Sequence, residues 1–555
     1  MDQARFHRFR TGLSSPCFKS LEPFLHELDR YLTLRTLVDG YQLTEADRTF
    51  GYLHIGHAKA AFLNDYFAHD AASGSLILRF DDTNPKKEKQ EFEDSIVHDL
   101  GLLGISPQRI TYTSDYFEML YELCQKLISS GKAYAEDTDP KIQASDRRDR
   151  LPSKCRDRPP SESLAIFAEM RAGTALGKKH CIRARIAYDS SNGSLRDPII
   201  YRFPSWAPGE TPQPHHRTGW AWQIYPTYDF ACPLVDSIEG VTHALRTTEY
   251  ADRNDQYYWF LEALSLRRVR LWDFARIGFI RTFLSKRKLL QVVETGQVDG
   301  WDDPRMPTVR GILRRGLTVD ALRQFMLEQG PSRNLVLMDW TILWSMNKKI
   351  IDPIAPRHTA VMMKNAVLVT ITGGPSTPRK ELRPKHPKNP DIGTRTLTFA
   401  SEIYIDQDDA ALLHKDEEMT LMGWGNVFAR HITRSDDGAV TALQCELHLA
   451  GNVSKTDKKI HWLAAHGGDL GQAELWEFDH LLLKDKLEKT DKLDMFLNPV
   501  TSKMEQSMVD GDCAELAEGA IIQLERKGYF RVDKATGQGP EGKMVLFKIP
   551  TGGKA

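Results

Sequence analysis

A His-Ile-Gly-His motif at positions 54–57 limits the possible folds of this chain more than any other segment. The residues after it, through Tyr66, place apolar side chains three and four positions apart, which predicts an amphipathic helix beginning at the motif. Unbonded backbone N–H groups and the helix dipole favour an anion at such a start. Gly56 permits close approach to the backbone, and two imidazoles can donate to charge developing on a phosphate. A capped helix with two surface histidines is the alternative interpretation.

An α/β pattern surrounds this helix. The apolar run Leu76–Phe80 predicts a buried parallel strand, and the periodicity of Glu88–Leu103 and Tyr116–Ser130 predicts crossover helices. Asp81 follows the strand directly, where open parallel sheets bind their ligands. Asp82 is also suited to capping the next helix. The pattern therefore favours a nucleotide-type sheet with carboxylates at its ligand-binding edge.

Length and composition limit the number of domains and the class of protein. A chain of 555 residues is too long for one core, so about two to four domains are expected. The net charge of −1 gives no sign of nucleic-acid binding, although a local basic surface is compatible with it. Seven scattered cysteines without a C-x-x-C pair indicate neither zinc nor a disulfide framework. Without a signal pattern or a membrane-length apolar run, we expect a soluble, cytoplasmic protein.

The residue pattern changes in the middle of the chain. From residue 137 to about residue 217 it is charged and irregular, with short strands such as Cys181–Ala187, and the α/β pattern resumes at Tyr225. This arrangement predicts a domain inserted between the two halves of the sheet. Three arginines there could contact phosphates or lie on a solvated strand face: Arg183, Arg185 and Arg196.

The last third of the chain is β-rich. After a mostly helical segment that ends near Lys349, period-two alternation predicts strands at Thr394–Phe399, Glu402–Ile405, Ala439–Leu449, Ile460–Ala464 and Met544–Ile549. The Pro- and Lys-rich segment Gly373–Asn389 predicts a flexible basic loop. Several short strands separated by turns favour one or two small barrels.

Five stretches in order carry a family resemblance. They are Gly51–Ala60, Leu78–Pro85, Val241–Tyr250, Leu284–Leu289 and Val298–Arg305. With β-barrels following, they resemble a class I aminoacyl-tRNA synthetase, specifically the glutamyl-tRNA synthetases of the archaeal and eukaryotic cytosolic type. The resemblance covers about nine-tenths of the chain.

The resemblance implies a multidomain architecture. Residues 51–350 would form the catalytic domain: a Rossmann-like nucleotide fold (51–136 and 223–290), an inserted acceptor-end-binding region (137–222) and a helical stem-contact region (291–350). Residues 351–555 would form all-β anticodon-binding barrels, and residues 1–50 a truncated α-helical fragment like a glutathione transferase.

The resemblance also implies a two-step reaction, in which glutamate and ATP form glutamyl-adenylate and the acyl group passes to the 3′-terminal adenosine of tRNA(Glu). His54, His57 and Lys286 would be catalytic and bind ATP, together with Gly56 and Ser285. Mg²⁺ would accompany ATP, held by phosphates and water rather than by protein ligands.

Glutamate selection is implied for four further residues. Asp81 would bind the ammonium group, Tyr228 would orient the amino acid, and Cys232 would line the pocket. Arg246 would pair with the γ-carboxylate through its guanidinium fork, because the glutaminyl enzymes carry a small uncharged residue at that position. The alternative for Arg246 is a structural salt bridge with Glu249 or Asp236.

The chain departs from the family at one junction. Family members begin the nucleotide fold with a strand ending in Arg-Phe-x-Pro-Glu-Pro-Ser-Gly, and this strand is missing before Gly51. The sequence looks as if a segment were deleted between Phe50 and Gly51, either in the protein or by an error in the gene model. We expect a sheet without its first central strand and a chain that is unstable or weakly active.

Alternatives stay open at this stage. They are a glutaminyl-tRNA synthetase, an impaired isoform acting as a tRNA-binding or scaffold protein, and a small-molecule adenylyltransferase. Expected partners are tRNA(Glu), L-glutamate and, through the N-terminal fragment, other synthetases or a tRNA-binding cofactor, with no membrane. Trp424, Arg430 and Lys455 could contact tRNA bases or phosphates, or could be ordinary barrel residues.

Overall fold

A computed structural model describes residues 52–71, 73–85, 90–205, 210–488 and 490–553, and the backbone of residues 37–39. The chain divides into two compact units. The first comprises the described residues up to Gly278 with Leu284–Gln291 and Arg323–Leu337. The second comprises Phe279–Phe283, Val292–Leu322 and the described residues from Met338 onward.

The first part of the chain alternates strands and helices. Its strands are β1 (Leu37–Asp39), β2 (Ser75–Phe80), β3 (Arg109–Tyr112), β4 (Ala133–Glu136), β5 (Cys181–Ala184), β6 (Ile199–Arg202), β7 (Tyr225–Pro226), β8 (His243–Thr247), β9 (Arg270–Phe274) and β10 (Ile277–Phe279). Its helices are α1 (Ile55–Asp65), α2 (Gln90–Leu102), α3 (Phe117–Ser129), α4 (Pro140–Asp149), α5 (Pro160–Ala172), α6 (Tyr228–Ile238) and α7 (Asn254–Ala263). The strand and crossover helices predicted around residues 76–130 are confirmed within two residues at each end.

A five-stranded parallel sheet in the order β3-β2-β1-β8-β9 is the frame of the first unit. This doubly wound order places the carboxyl ends of its strands at one edge, where ligands of such sheets bind. β2 is a run of apolar residues interrupted by one arginine, and it is buried along nearly its whole length. That pattern is typical of a strand covered on both faces.

The central position of the sheet, predicted to be empty, is occupied by the three-residue strand β1. β1 pairs in parallel with β2, where Val38 lies opposite Leu76, and with β8, where Val38 lies opposite His243. The prediction of a sheet without a central strand is therefore wrong. The other predictions for residues 1–50, including the glutathione-transferase-like fragment, lie outside the described residues.

A separate antiparallel sheet lies around the predicted insertion, with two of its four strands, β4 and β7, just outside residues 137–222. β4, β5, β6 and β7 pair antiparallel in that order. Apolar residues of this sheet share one core with α3, α5, α6 and α7, in which large rings such as Phe117, Phe167 and Phe230 are fully buried. Part of the charged, irregular segment seen in the sequence is thus an antiparallel sheet packed on the helices of the same unit.

A short helical stretch precedes the β-rich part. It contains α8 (Lys286–Glu294), α9 (Val309–Arg314), α10 (Val319–Gln329), β11 (Val336–Met338) and α11 (Trp340–Ile351). No helix among the described residues is long and apolar enough to cross a membrane.

The rest of the second unit is mainly β. Its elements are β12 (Arg357–His358), β13 (Ala360–Met362), β14 (Val367–Thr372), β15 (Arg379–Pro384), β16 (Thr394–Phe399), β17 (Glu402–Ile405), α12 (Gln407–Ala411), β18 (Glu418–Leu421), β19 (Gly425–Arg434), β20 (Val440–His448), β21 (Lys459–Ile460), β22 (Leu463–Ala464), β23 (Gly471–Phe478), β24 (Ser502–Val509), β25 (Ile521–Leu524), β26 (Gly528–Lys534) and β27 (Met544–Ile549). They form two seven-stranded sheets, each with its own apolar core, and the separate pair β15–β16.

Two β-region predictions are corrected. The segment predicted as a flexible basic loop contains β15, which pairs antiparallel with β16 from Arg379 opposite Phe399 to Pro384 opposite Thr394. The strand predicted at Ile460–Ala464 is two short strands that pair with different partners, β21 with β18 and β22 with β17. The strands at Thr394–Phe399, Glu402–Ile405 and Met544–Ile549 are confirmed at their predicted bounds.

Candidate functional site

Two histidines cap the first turn of α1. The His54 side chain accepts a hydrogen bond from the backbone N–H of Gly56 through Nδ1, at 3.1 Å. The Nδ1 atom of His57 accepts one from the backbone N–H of His54, also at 3.1 Å. Each imidazole thus satisfies a donor that a helix start leaves unpaired, as in a capping box. The helix predicted to begin at these residues is confirmed.

These contacts fix how the two rings present their protons. A neutral imidazole whose Nδ1 accepts a hydrogen bond carries its proton on Nε2. The two rings stack nearly face to face, with their centroids 3.5 Å apart and 10° between their planes. Burial, followed by the charges of Lys286 and Arg276, lowers the pKa of His57 well below its ordinary value. Both rings are buried, so the alternative of two surface histidines is wrong.

The basic stretch 284–289 lies against this helix start. Lys286 opens α8 and is only 2% exposed, whereas Ser285 before it is exposed. A Cβ added to Gly56 would lie 3.0 Å from the His54 ring and 3.3 Å from the Leu284 side chain. Glycine at this position therefore leaves room for the His54 ring and for the segment that leads into Lys286. The first lysine of this basic stretch is therefore helical and buried.

Arg246 lies on β8, one residue before its end. The residue is 7% exposed, and its Nε and Nη1 atoms are buried and have no hydrogen-bond partner among the described residues. The guanidinium carbon lies 5.2 Å from the ring centroid of Tyr250 and 5.4 Å from that of Tyr257. Burial acts to lower the pKa of Arg246, but the polar side chains around it outweigh this effect and raise it. The result is a buried cation with aromatic neighbours.

Two other predicted residues lie beside this guanidinium. Tyr228 and Cys232 are one turn apart on α6, and both act on the pKa of Arg246. Burial raises the pKa of the Tyr228 hydroxyl well above its ordinary value, so the hydroxyl stays protonated. The Sγ atom of Cys232 lies 3.5 Å from a carboxylate oxygen of Asp236. The sequence therefore identified three residues that the fold brings together.

The salt-bridge alternative for Arg246 is wrong. Asp236 forms a hydrogen-bonded ion pair with Arg79 instead. Glu249 pairs with Arg276 at 2.5 Å. Both candidate carboxylates thus have another arginine as their ion-pair partner, which leaves donors of Arg246 to a ligand.

The two carboxylates after β2 differ in environment. Asp81 is partly exposed, while Asp82 is 1% exposed and its Oδ1 atom accepts a hydrogen bond from the backbone N–H of Ser114 at 2.7 Å. This bond is made to a turn after β3, so Asp82 does not act as the predicted cap of the next helix. Burial is the largest cause that raises the pKa of Asp82, to about 7.

Most other polar candidates have structural partners. In the inserted region Arg183 is buried and donates to Glu136 at 3.2 Å, while Arg185 pairs with Asp157 at 2.5 Å. The Arg196 guanidinium donates to backbone carbonyls. In the β-rich part Trp424 packs against other rings of its core, Arg430 pairs with Asp416 and Glu446, and Lys455 is exposed. The solvated-face interpretation of Arg183 is thus wrong.

Three family descriptions match this chain. Residues 47–353 match the family described as "tRNA synthetases class I (E and Q), catalytic domain". Residues 355–448 and 459–533 match two families described as "tRNA synthetases class I (E and Q), anti-codon binding domain".

Three relatives are similar along most of the chain. A probable cytoplasmic glutamate–tRNA ligase of Schizosaccharomyces pombe is 52% identical over 502 residues, which is 90% of this chain and 68% of that protein. The cytoplasmic glutamate–tRNA ligase of Saccharomyces cerevisiae is 51% identical over 90% of this chain and 69% of its own length. That of Arabidopsis thaliana is 48% identical, over 92% and 70%.

Proposed function

The chain belongs to the class I tRNA synthetases of the E and Q type, and we propose that it ligates L-glutamate to tRNA(Glu). In the first step the α-carboxylate of glutamate attacks the α-phosphorus of ATP, which gives glutamyl-adenylate and diphosphate. In the second step a hydroxyl group of the 3′-terminal adenosine attacks the acyl carbon, and AMP leaves. The three relatives above carry the name glutamate–tRNA ligase, which supports this choice.

The observation that carries the choice of glutamate is the buried Arg246. A planar guanidinium can pair through two parallel N–H groups with a carboxylate, and its Nε and Nη1 donors have no partner among the described residues. The side-chain amide of glutamine offers one acceptor oxygen, and its NH₂ group would face a donor. A buried site of this kind discriminates strongly against the analogue that leaves donors unpaired.

The start of α1 is suited to the phosphates of ATP. His54 and His57 would donate from Nε2 to oxygens on which charge develops as the α-phosphorus is attacked. Lys286 would add a positive charge beside them, and Gly56 and Ser285 would border the nucleotide. Mg²⁺ would come with ATP, bound by phosphates and water.

The remaining assignments complete the amino-acid site. Asp81 would bind the ammonium group of glutamate and Tyr228 would orient the amino acid with its hydroxyl. Cys232 would line the side-chain pocket. These groups bind and position the substrates, so the chemistry rests on proximity and charge stabilisation rather than on a covalent protein intermediate.

The tRNA would bind along the chain. Residues 137–222 would bind the acceptor end, residues 291–350 would contact the stem, and the β-rich part from residue 351 would bind the anticodon. The family descriptions of residues 355–448 and 459–533 support the last assignment. A cytoplasmic location follows the names of the relatives, and association with other synthetases through residues 1–50 stays a prediction.

The rival functions have weaker support. A glutaminyl enzyme would place an uncharged residue where Arg246 lies. The scaffold alternative rested on the missing strand, whose position β1 occupies. A small-molecule adenylyltransferase has no use for two seven-stranded sheets that match anticodon-binding families.

The test is aminoacylation of tRNA(Glu) by the full chain with labelled glutamate or glutamine. We expect charging with glutamate, and a kcat/KM for glutamine lower by at least about a hundredfold. Lys286→Ala should abolish charging, whereas Arg287→Ala, the matched change at the next, exposed position, should not. Preferential charging with glutamine would overturn the proposal, as would activity that survives Lys286→Ala.

A further inference from the structure

This inference rests on the proposed function, which does not explain how the Arg246 side chain is held in one orientation. That long side chain must point in one direction to meet a carboxylate, yet a protein carboxylate that held it there would compete with the substrate. Its Nε and Nη1 atoms have no hydrogen-bond partner among the described residues. The orientation must therefore come from contacts that do not use N–H donors.

Aromatic faces provide such contacts. A guanidinium is attracted to the π-face of a tyrosine through the ring quadrupole, and this attraction is stronger in buried sites. The guanidinium carbon of Arg246 lies 5.4 Å from the ring centroid of Tyr257, which is only 3% exposed. The ring of Tyr250 also flanks the cation, at 5.2 Å, but it is only partly buried. Such ring contacts leave the hydrogen-bond donors of Arg246 available to a ligand.

The ring of Tyr257 is itself fixed in place. Its hydroxyl donates a hydrogen bond of 2.6 Å to Oδ2 of Asp236, which is fully buried on α6. The other oxygen of Asp236 accepts from Nη2 of Arg79 on β2. Arg79 also donates to Glu239 at 2.7 Å. A chain of buried contacts thus runs from the central sheet through α6 to α7, where Tyr257 lies.

The same chain keeps Asp236 away from Arg246. Arg79 donates to one oxygen of Asp236 and Tyr257 donates to the other, so this fully buried carboxylate is engaged on both sides. Its charge still helps to raise the pKa of Arg246. Arg246 is therefore stabilised as a cation at a distance without forming an ion pair.

We propose that Tyr257, held by Asp236 and through it by Arg79, is a positioning residue that fixes the Arg246 guanidinium for the γ-carboxylate and thereby sets the preference for glutamate over glutamine. Tyr257 acts through Arg246 and touches no reacting atom. Its ring sets the direction of the guanidinium, and its hydroxyl sets the position of the ring.

The test compares two substitutions of Tyr257 with a neighbour. Tyr257→Leu removes ring and hydroxyl, and Tyr257→Phe removes the hydroxyl alone. Tyr258→Leu is the matched control, because Tyr258 lies next on α7 and its ring faces an exposed arginine, Arg268, at 4.3 Å. KM and kcat are measured for glutamate, glutamine and ATP with the full chain and tRNA(Glu).

We expect Tyr257→Leu to raise the KM for glutamate about tenfold and to narrow the glutamate-to-glutamine preference by a similar factor. Tyr257→Phe should raise the KM for glutamate about threefold. Neither should change the KM for ATP. Tyr258→Leu removes a hydroxyl that accepts from the backbone N–H of Leu271, so it should lower stability at most and leave the glutamate-to-glutamine preference unchanged. A purely structural role would instead lower kcat with both substrates or reduce the folded fraction, without a change in preference.

Each result decides the matter. An unchanged preference in folded Tyr257→Leu overturns the proposal, and so does an equal loss in Tyr258→Leu. If Tyr257→Leu does not fold, Tyr257→Phe decides: its KM for glutamate should rise by a larger factor than its KM for glutamine. Absence of glutamate charging by the wild-type chain would instead overturn the proposed function, so the two failures are distinguishable.

Discussion

The start of α1 and the pocket around Arg246 both contain buried side-chain N–H donors that the proposed function assigns to anionic groups, but the chain builds the two sites in opposite ways. His54 and His57 are held by backbone hydrogen bonds that span two or three residues. Arg246 is flanked by rings from other elements and is fixed through contacts that reach back to β2. One site is made locally, and the other depends on the whole first unit.

The difference matches the charge that each site would meet. The phosphate oxygens gain charge in the transition state, and neutral donors with protons already on Nε2 can stabilise it without leaving a bare cation in the resting site. The γ-carboxylate is charged throughout, so a permanent cation is the better partner. Local bonding is enough to orient a short imidazole, whereas a long arginine needs distant support.

The largest expected effect comes from the pocket. Arg246→Cys removes the guanidinium, and we expect kcat/KM for glutamate to fall about 10³-fold, because a buried charge pair is lost. The KM for ATP should stay within about threefold of wild type. Steady-state charging kinetics with both amino acids measure this. Arg268→Cys is the control, an exposed arginine over a tyrosine ring. A preserved glutamate preference in Arg246→Cys would remove the distinction between the two sites.

A smaller effect of another kind is expected at the helix start. His57→Ala removes one donor to the developing charge, so kcat should fall about 10²-fold with little change in the KM for glutamate. Single-turnover formation of the adenylate measures the step directly. His69→Ala is the matched change at a histidine that pairs with Asp65 at 2.8 Å. A loss confined to the KM for glutamate would mean that His57 serves the amino-acid site.

The smallest effect concerns Asp82, a buried carboxyl group that burial favours in its neutral form, whereas Arg246 stays charged. Asp82 has a pKa of about 7, so the folded state holds its proton between about pH 4 and 7 while the unfolded state does not. Stability should therefore fall as pH rises through this window. Asp82→Asn, whose amide oxygen can still accept from Ser114, should reduce that fall by about 2 kcal/mol at pH 7.

Denaturant unfolding of the full chain at several pH values measures this. Asp81→Asn, at the partly exposed neighbour, is the comparison: it removes a charge that helps to raise the pKa of Asp82, so it should weaken the slope with pH less than Asp82→Asn does. A steeper loss of stability in Asp82→Asn than in wild type would contradict the protonated state. Asp82 then adds a third case to the comparison. Aromatic rings flank the buried cation of Arg246, backbone hydrogen bonds hold the neutral rings of His54 and His57, and a bound proton neutralises the buried carboxyl group of Asp82.

Sequence patterns were sufficient where the physics is local. The helix start at 54–57, β2 and α3 follow from periodicity and capping, and the structure has them at nearly the predicted bounds. β1 was missed because a three-residue strand has no periodicity of its own. Its pairing with β2 and β8 is set by residues far along the chain.

The site shows the same division. Tyr228, Cys232 and Arg246 came from the family resemblance, and the fold brings them together. Tyr257 was missed, because nothing in the sequence indicates that a ring eleven positions beyond Arg246 faces its guanidinium. Asp236 was considered as a partner of Arg246, whereas Arg79 takes it through a contact between β2 and α6 that no local pattern predicts. The basic segment around β15 was called flexible because its strand partner lies beyond a loop.

The central place of β1 has a consequence for how the first unit folds. The pairing of β1 with β8, in which Val38 lies opposite His243, requires the chain between them to be looped out, including the whole β4–β7 sheet. The other pairings of the parallel sheet, and those within β4–β7, join strands that are much closer in sequence. The β1–β8 pairing is therefore the high-contact-order step of this unit, and we expect it to form late and to set the folding rate.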